Sequence, residues 1–84
     1  MTITEAVATR LGAILKKRGM KKKTLCGLPG VKSQSISNIF RTKSVAGISM
    51  TTLYRICHAL DMSMSEFLDD PVFDQIEIPG EKDI

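Results

Sequence analysis

The chain has no tryptophan, one tyrosine and three phenylalanines, so aromatics are 5% of its 84 residues and the core has to be aliphatic. Length allows one domain with a thin core, which argues against a large enclosed active-site cavity. The single histidine, His58, has Cys57 as its neighbour. On a helix two adjacent side chains diverge by about 100°, too far for a thiol–imidazole pair. Asp69 and Asp70 are adjacent acids at a helix end and read better as a solvated terminus than as a metal site. No glycine-rich phosphate loop follows a strand, and no His/Cys spacing of a metal centre occurs. The expectation is no enzyme: no catalytic residues, no metal and no cofactor.

Long apolar runs are missing too. No stretch approaches the ~20 apolar residues of a membrane span. Glu5 and Arg10 interrupt the first apolar segment, and the basic cluster follows it instead of preceding it, unlike a secretory signal. The two cysteines, Cys26 and Cys57, are far apart and sit among apolar neighbours. They read as small hydrophobes in a reducing compartment, with a disulfide as the alternative. The expected setting is soluble and cytoplasmic, with no membrane partner. Internal repeats and low-complexity segments are also absent.

Acidic residues are scarce in one half only. Residues 1–50 hold ten basic side chains (Arg10, Lys16, Lys17, Arg18, Lys21, Lys22, Lys23, Lys32, Arg41 and Lys43) against one acid, Glu5. Residues 51–84 hold Arg55 and Lys82 against eight acids. The modest net charge of +3 is therefore the difference between +9 and −6. Such a split fits a polyanion-binding face with an acidic end turned away from it; the alternative is that both halves are solvated surface.

Periodicity and end signals give five short helices. Residues 2–18 form the first, with Ile3, Val7, Leu11, Ile14 and Leu15 at helical spacing, Thr2 and Glu5 as a capping box, and Gly19 as the closing left-handed residue. Lys21 to Leu28 forms the second, stopped by Pro29-Gly30. The third starts at Lys32 or Ser33 and runs to about Arg41, with Ile36, Ile39 and Phe40 apolar. After a loop over Thr42–Ile48, Ser49 caps a fourth helix whose expected buried stripe is Met50, Leu53, Ile56, Cys57 and Leu60. Ser63 and Glu66 open a fifth, with Phe67 and Leu68 inward, ended by Asp70-Pro71. Beyond it, Ile76 and Ile78 hint at period two, hence a short strand or an extended arm.

Two short helices joined by a glycine turn, the second with a polar outer face, outline a helix-turn-helix over Lys21–Lys43. Cys26 supplies the small residue where the helices cross, and four positions later Gly30 tolerates positive φ. Six further on, Ile36 plugs into the first helix of the pair, while Leu25, Val31 and Ile39 complete their shared core.

At these residues the segment KKKTLCGLPGVKSQSISNIFR resembles the helix-turn-helix of the lambda repressor and Cro family, also called the XRE family. TEAVATRLGAILKKRGM before it and SMTTLYRICHALDMSMSEFLDD after it are similar to that family's first, fourth and fifth helices, so the resemblance covers about residues 4–70. Gly27 and Pro29 depart from the pattern and shorten the second helix; Lys22 stands for a common Gln and Thr42 for a common Gly.

The resemblance implies an all-α, five-helix lambda-repressor-like fold, with a DNA-binding domain at residues 1–70 and a tail at 71–84. It implies a bacterial or phage-encoded transcriptional regulator, a repressor, whose third helix enters the major groove of double-stranded DNA. Carried over by position, Lys32, Ser33, Gln34, Ser37 and Asn38 face base edges. Gln and Asn present a donor and an acceptor together to adenine, Lys donates to guanine, and Ser serves either. Phosphate contacts fall to Lys21, Lys22 and Lys23, where the second helix also offers backbone amides, and to Arg41 and Lys43. Lys16, Lys17 and Arg18 add long-range attraction only. A single small domain reads little DNA, so a homodimer on a two-fold site is expected, with half-sites about 34 Å or a multiple of it apart. Its interface candidates are Phe67 and Leu68, or Val72, Phe73, Ile76 and Ile78. The rival reading is an antitoxin-like interaction module that covers a protein partner with residues 72–84 and binds DNA as well. RNA binding is weaker, because stacking aromatics are missing.

Overall fold

A computed structural model of the chain describes residues 1–41 and 48–77. Its elements are α1 (Ile3–Lys17), α2 (Lys22–Cys26), α3 (Ser33–Arg41), α4 (Met50–Ala59), α5 (Met64–Leu68) and a 3-10 turn, Pro71–Gln75. Among the described residues there is no strand. The architecture is all-helical.

Local chemistry sets most helix ends. At α1 the Thr2 hydroxyl accepts from the Glu5 N–H at 3.1 Å, and the Glu5 carboxylate accepts from the Thr2 N–H at 3.3 Å. Ser63 and Glu66 repeat this reciprocal cap at α5 with bonds of 3.0 and 3.1 Å. The Ser49 hydroxyl accepts from the Thr52 N–H at 3.1 Å to open α4. Two helices close alike. Gly19, at φ +64°, ends α1 while the Met20 N–H returns to the Leu15 carbonyl. Asp61, at φ +54°, ends α4 while the Met62 N–H returns to the Cys57 carbonyl. Both are Schellman closures, and in each the methionine that follows packs on the core.

The core is aliphatic with one fully buried ring, Phe67. Val7, Leu11, Ile14 and Leu15 of α1 meet Leu25, Ile36, Ile39, Leu53, Ile56, Cys57 and Leu60. α1 is the central strut: α3 packs on one part of it and the 3-10 turn on another. Cys57 is buried, and desolvation pushes its thiol pKa up; Cys26 is half-buried, and both are free thiols.

Several sequence expectations need correction. Ile3 is 40% exposed, and the inward position in that turn belongs to Thr4. Met50 is 66% exposed, because Ile48, just ahead of the cap, packs on the core at this end of α4. Leu68 is 40% exposed: adjacent residues of a five-residue helix diverge by about 100°, and Phe67 has taken the core direction. α2 ends at Cys26 instead of Leu28, with Gly27 as its cap, although Leu28 still packs on the core. α5 ends at Leu68, which frees Asp70 to cap the 3-10 turn by accepting from the Val72 N–H at 2.9 Å.

The segment expected to be a strand or arm thus begins as a helical turn with Val72 buried and Phe73 packed on the core. It then returns to the N-terminus, where the Glu77 N–H donates to the Met1 carbonyl at 2.8 Å. Phe67 and Val72 are consequently unavailable to a partner chain. Ile78 lies outside the described residues, as do Thr42 and Lys43.

Candidate nucleic-acid interface

α2 and α3 pack together through Leu25, Ile36 and Ile39, all buried, with Cys26, Val31 and Phe40 half-buried beside them. Gly30 makes the turn at φ +83°. A β-carbon there would touch nothing within 4 Å, so the requirement for glycine is conformational and not steric. Since Ile36 and Ile39 hold one side of α3 inward, the helical repeat turns Gln34, Ser37 and Asn38 outward. These three, with Ser33 and with Lys32 just ahead of the helix, are exposed.

Gln34 and Asn38 are linked across one turn: the Gln34 side-chain amide donates to the Asn38 side-chain oxygen at 3.1 Å. The bond fixes the two amides relative to each other. It leaves the Gln34 oxygen and second N–H, and both N–H groups of Asn38, for an outside partner. The outer face of α3 thus carries donors and acceptors with no charge of its own until Arg41.

Cations stand at the edges of that face. Lys21, Lys22, Lys23 and Arg41 are exposed. The Lys22 ammonium lies 4.1 Å from the centroid of the Phe40 ring, a cation–π contact that ties the start of α2 to the end of α3. Lys22, Lys23 and Arg41 line one cleft together with Ser37. On the other side of α3, Lys32 and Ser35 share a small cleft with Thr52 and Arg55 of α4. Sequence reading passed over Arg55, because periodicity puts it opposite the buried stripe of α4 without saying which helix stands beside it.

Other basic residues of the first half are spent on the fold. Arg10 donates from Nε to the Phe67 carbonyl at 2.8 Å and from a terminal nitrogen to the Glu66 carbonyl at 2.9 Å, so it closes α5. Arg18 donates to the Leu60 carbonyl at the end of α4. Arg10, three residues after Val7, and Arg18, four after Ile14, border the apolar stripe of the first helix, and only the docked helices give each its partner. His58 is exposed and stacks on Tyr54, with ring centroids 6.0 Å apart. Among the described residues no group of His, Cys, Asp and Glu is placed to hold a metal ion, and no helix is long and apolar enough to cross a membrane.

A family model for the Cro/C1-type HTH DNA-binding domain matches residues 10–72, three quarters of the chain. No curated protein and no solved structure matches it. The matched span runs from Arg10 in α1 through all five helices to Val72, and so contains the turn at Gly30, the polar face of α3 and the cations around it. The chain belongs to the Cro/C1-type helix-turn-helix family, a DNA-binding regulator whose partner is double-stranded DNA.

Proposed function

We propose that the protein is a sequence-specific transcriptional repressor that lays α3 in the major groove of duplex DNA. The observation that carries this reading is the outer face of α3, polar, uncharged and bracketed by exposed cations. Lys32, Ser33, Gln34, Ser37 and Asn38 read base edges, with the Gln34–Asn38 pair presenting a fixed set of donors and acceptors. Lys21, Lys22, Lys23 and Arg41 hold phosphates and set the register, joined by Lys43 from the segment outside the described residues. Occupancy of a promoter site excludes polymerase, which is the simplest route from binding to repression. The protein acts where its operator is, in the cytoplasm.

Residues 1–70 supply the reading surface, and a second copy on a two-fold site supplies the specificity that one α3 lacks. Leu68 is the interface candidate that remains exposed, with Phe73 and Ile76 half-buried.

Selection of bound sequences from a random duplex pool tests the reading, followed by a salt titration on the selected site. A two-fold sequence with half-sites about 34 Å apart or a multiple of it is expected. Release of counterions from about five phosphates per protomer gives a slope of log K against log salt of roughly −4 to −5. A slope near zero, or no enrichment of any duplex, would overturn DNA reading.

A further inference from the structure

We propose that Arg55 of α4 is a DNA-backbone contact, holding the phosphate strand opposite the one held by Lys22 and Lys23. The proposal rests on the placement of α3 in the major groove and adds a residue to that surface.

A helix in the major groove lies between two phosphate strands about 12 Å apart, so both of its flanks face negative charge. On the α2 flank of α3 the cations are Lys22 and Lys23, while Arg41 at the end of α3 lines clefts on both flanks. On the other flank runs α4, with Ser35 and Thr52 lining two successive clefts between the helices. Arg55 is the one arginine or lysine in α4. It projects from the side opposite Leu53, Ile56 and Cys57, and it is exposed.

Two observations make Arg55 available to a phosphate. The first is its neighbour: it lines the same small cleft as Lys32, the cation that leads into α3. Two like charges sharing a cleft repel, and an anion bridging them relieves that repulsion. The second is the contrast with Arg10. Arg10 meets Asp70 at 3.3 Å and two carbonyls besides, whereas among the described residues Arg55 has neither a carboxylate nor a carbonyl partner. Its guanidinium can take a phosphate bidentately, which an ammonium cannot do. This arginine sits in the half of the sequence dominated by acids, yet the fold moves it out of that half and beside the recognition helix.

The test is a salt titration by fluorescence anisotropy on the selected duplex, comparing wild type with Arg55→Gln, Arg55→Lys and Lys17→Gln. Lys17→Gln removes the same charge from α1, away from the α3–α4 cleft. Arg55→Gln is expected to weaken every sequence alike and to make the slope shallower by about 0.9, the loss of one phosphate contact. Arg55→Lys is expected to keep the slope, and Lys17→Gln to leave it unchanged. Replacing single phosphates by methylphosphonates should then reveal one position at which wild type and Arg55→Gln bind equally. Equal slopes for wild type and Arg55→Gln, with wild type still binding, overturn the proposal while leaving DNA reading intact. A loss confined to one base position also overturns it, by making Arg55 a base reader. Failure of wild type to bind any duplex removes the underlying reading and the proposal together.

Discussion

Arg10 and Asp70, sixty residues apart, meet at 3.3 Å and lock the first helix to the start of the C-terminal turn. The arginine does more than pair. Its guanidinium also takes the Phe67 carbonyl and shares the Glu66 carbonyl with the Asp69 N–H, at the end of α5. The two partners therefore differ in weight. Arg10→Ala loses two charge-assisted bonds to carbonyls and should cost about 2–3 kcal/mol. Asp70→Asn keeps the side-chain oxygen that caps Val72 and loses a half-exposed ion pair, a cost of at most about 1 kcal/mol. Urea unfolding of both variants checks the ranking; equal costs would contradict it.

Gln34→Ala should relax preference at one base position by about 1–3 kcal/mol and leave non-specific binding unchanged. Asn38→Ala should reduce the same preference as well, because the two side chains bind each other at 3.1 Å. The double variant should then lose less than the sum of the single losses. Competition binding against duplexes varied one base pair at a time measures all three.

The positive-φ positions predict opposite signs. Gly30→Ala meets open space but forces an alanine to φ +83°, which should cost about 1–2 kcal/mol. Asp61 already occupies φ +54° with a side chain, so Asp61→Gly should stabilise by up to about 1 kcal/mol. Thermal melts of the two variants provide the comparison, and two shifts of the same sign would refute the backbone account.

The cap of α5 predicts an acid-side loss of stability. The hydrogen bonds from Ser63 hold the Glu66 carboxyl below its ordinary 4.5, aided by the charge of Arg18. A carboxyl whose folded pKa is depressed stabilises the fold above its unfolded pKa and ceases to do so as pH falls through the folded one. Ser63→Ala should cost about 1 kcal/mol at neutral pH through the lost hydroxyl cap. The gap between wild type and Ser63→Ala should narrow below pH 4.5, where Glu66 takes up its proton. Denaturant midpoints at pH 7 and pH 3 decide it.

Much of this fold was readable in the chain. The capping pairs Thr2–Glu5 and Ser63–Glu66, the stop at Gly19 and the turn at Gly30 are contacts between residues at most a few positions apart. Spacing alone specifies such contacts. The apolar repeat of α3 likewise determined which of its side chains face out, since Ile36 and Ile39 leave Gln34 and Asn38 only the opposite side. The shape of the last segment was not readable, because Val72 is buried by α1, more than fifty residues away in sequence.

The roles of the arginines show the same division. Arg10, Arg18, Arg41 and Arg55 are chemically alike, and local spacing names no partner for any of them. Only the packing of one helix on another gave Arg10 the end of α5 and Arg18 the end of α4. It left Arg55 in the α3–α4 cleft and Arg41 at the end of α3, lining clefts on both sides. The sequence by itself determined the caps of α1, α4 and α5, the apolar side of α3, and that the chain holds a helix-turn-helix with a polar outer face. The tertiary structure decided which charges serve the fold and which remain at the surface. Carbonyls at a helix end and clefts between helices exist only once distant segments have docked, and no local spacing encodes them.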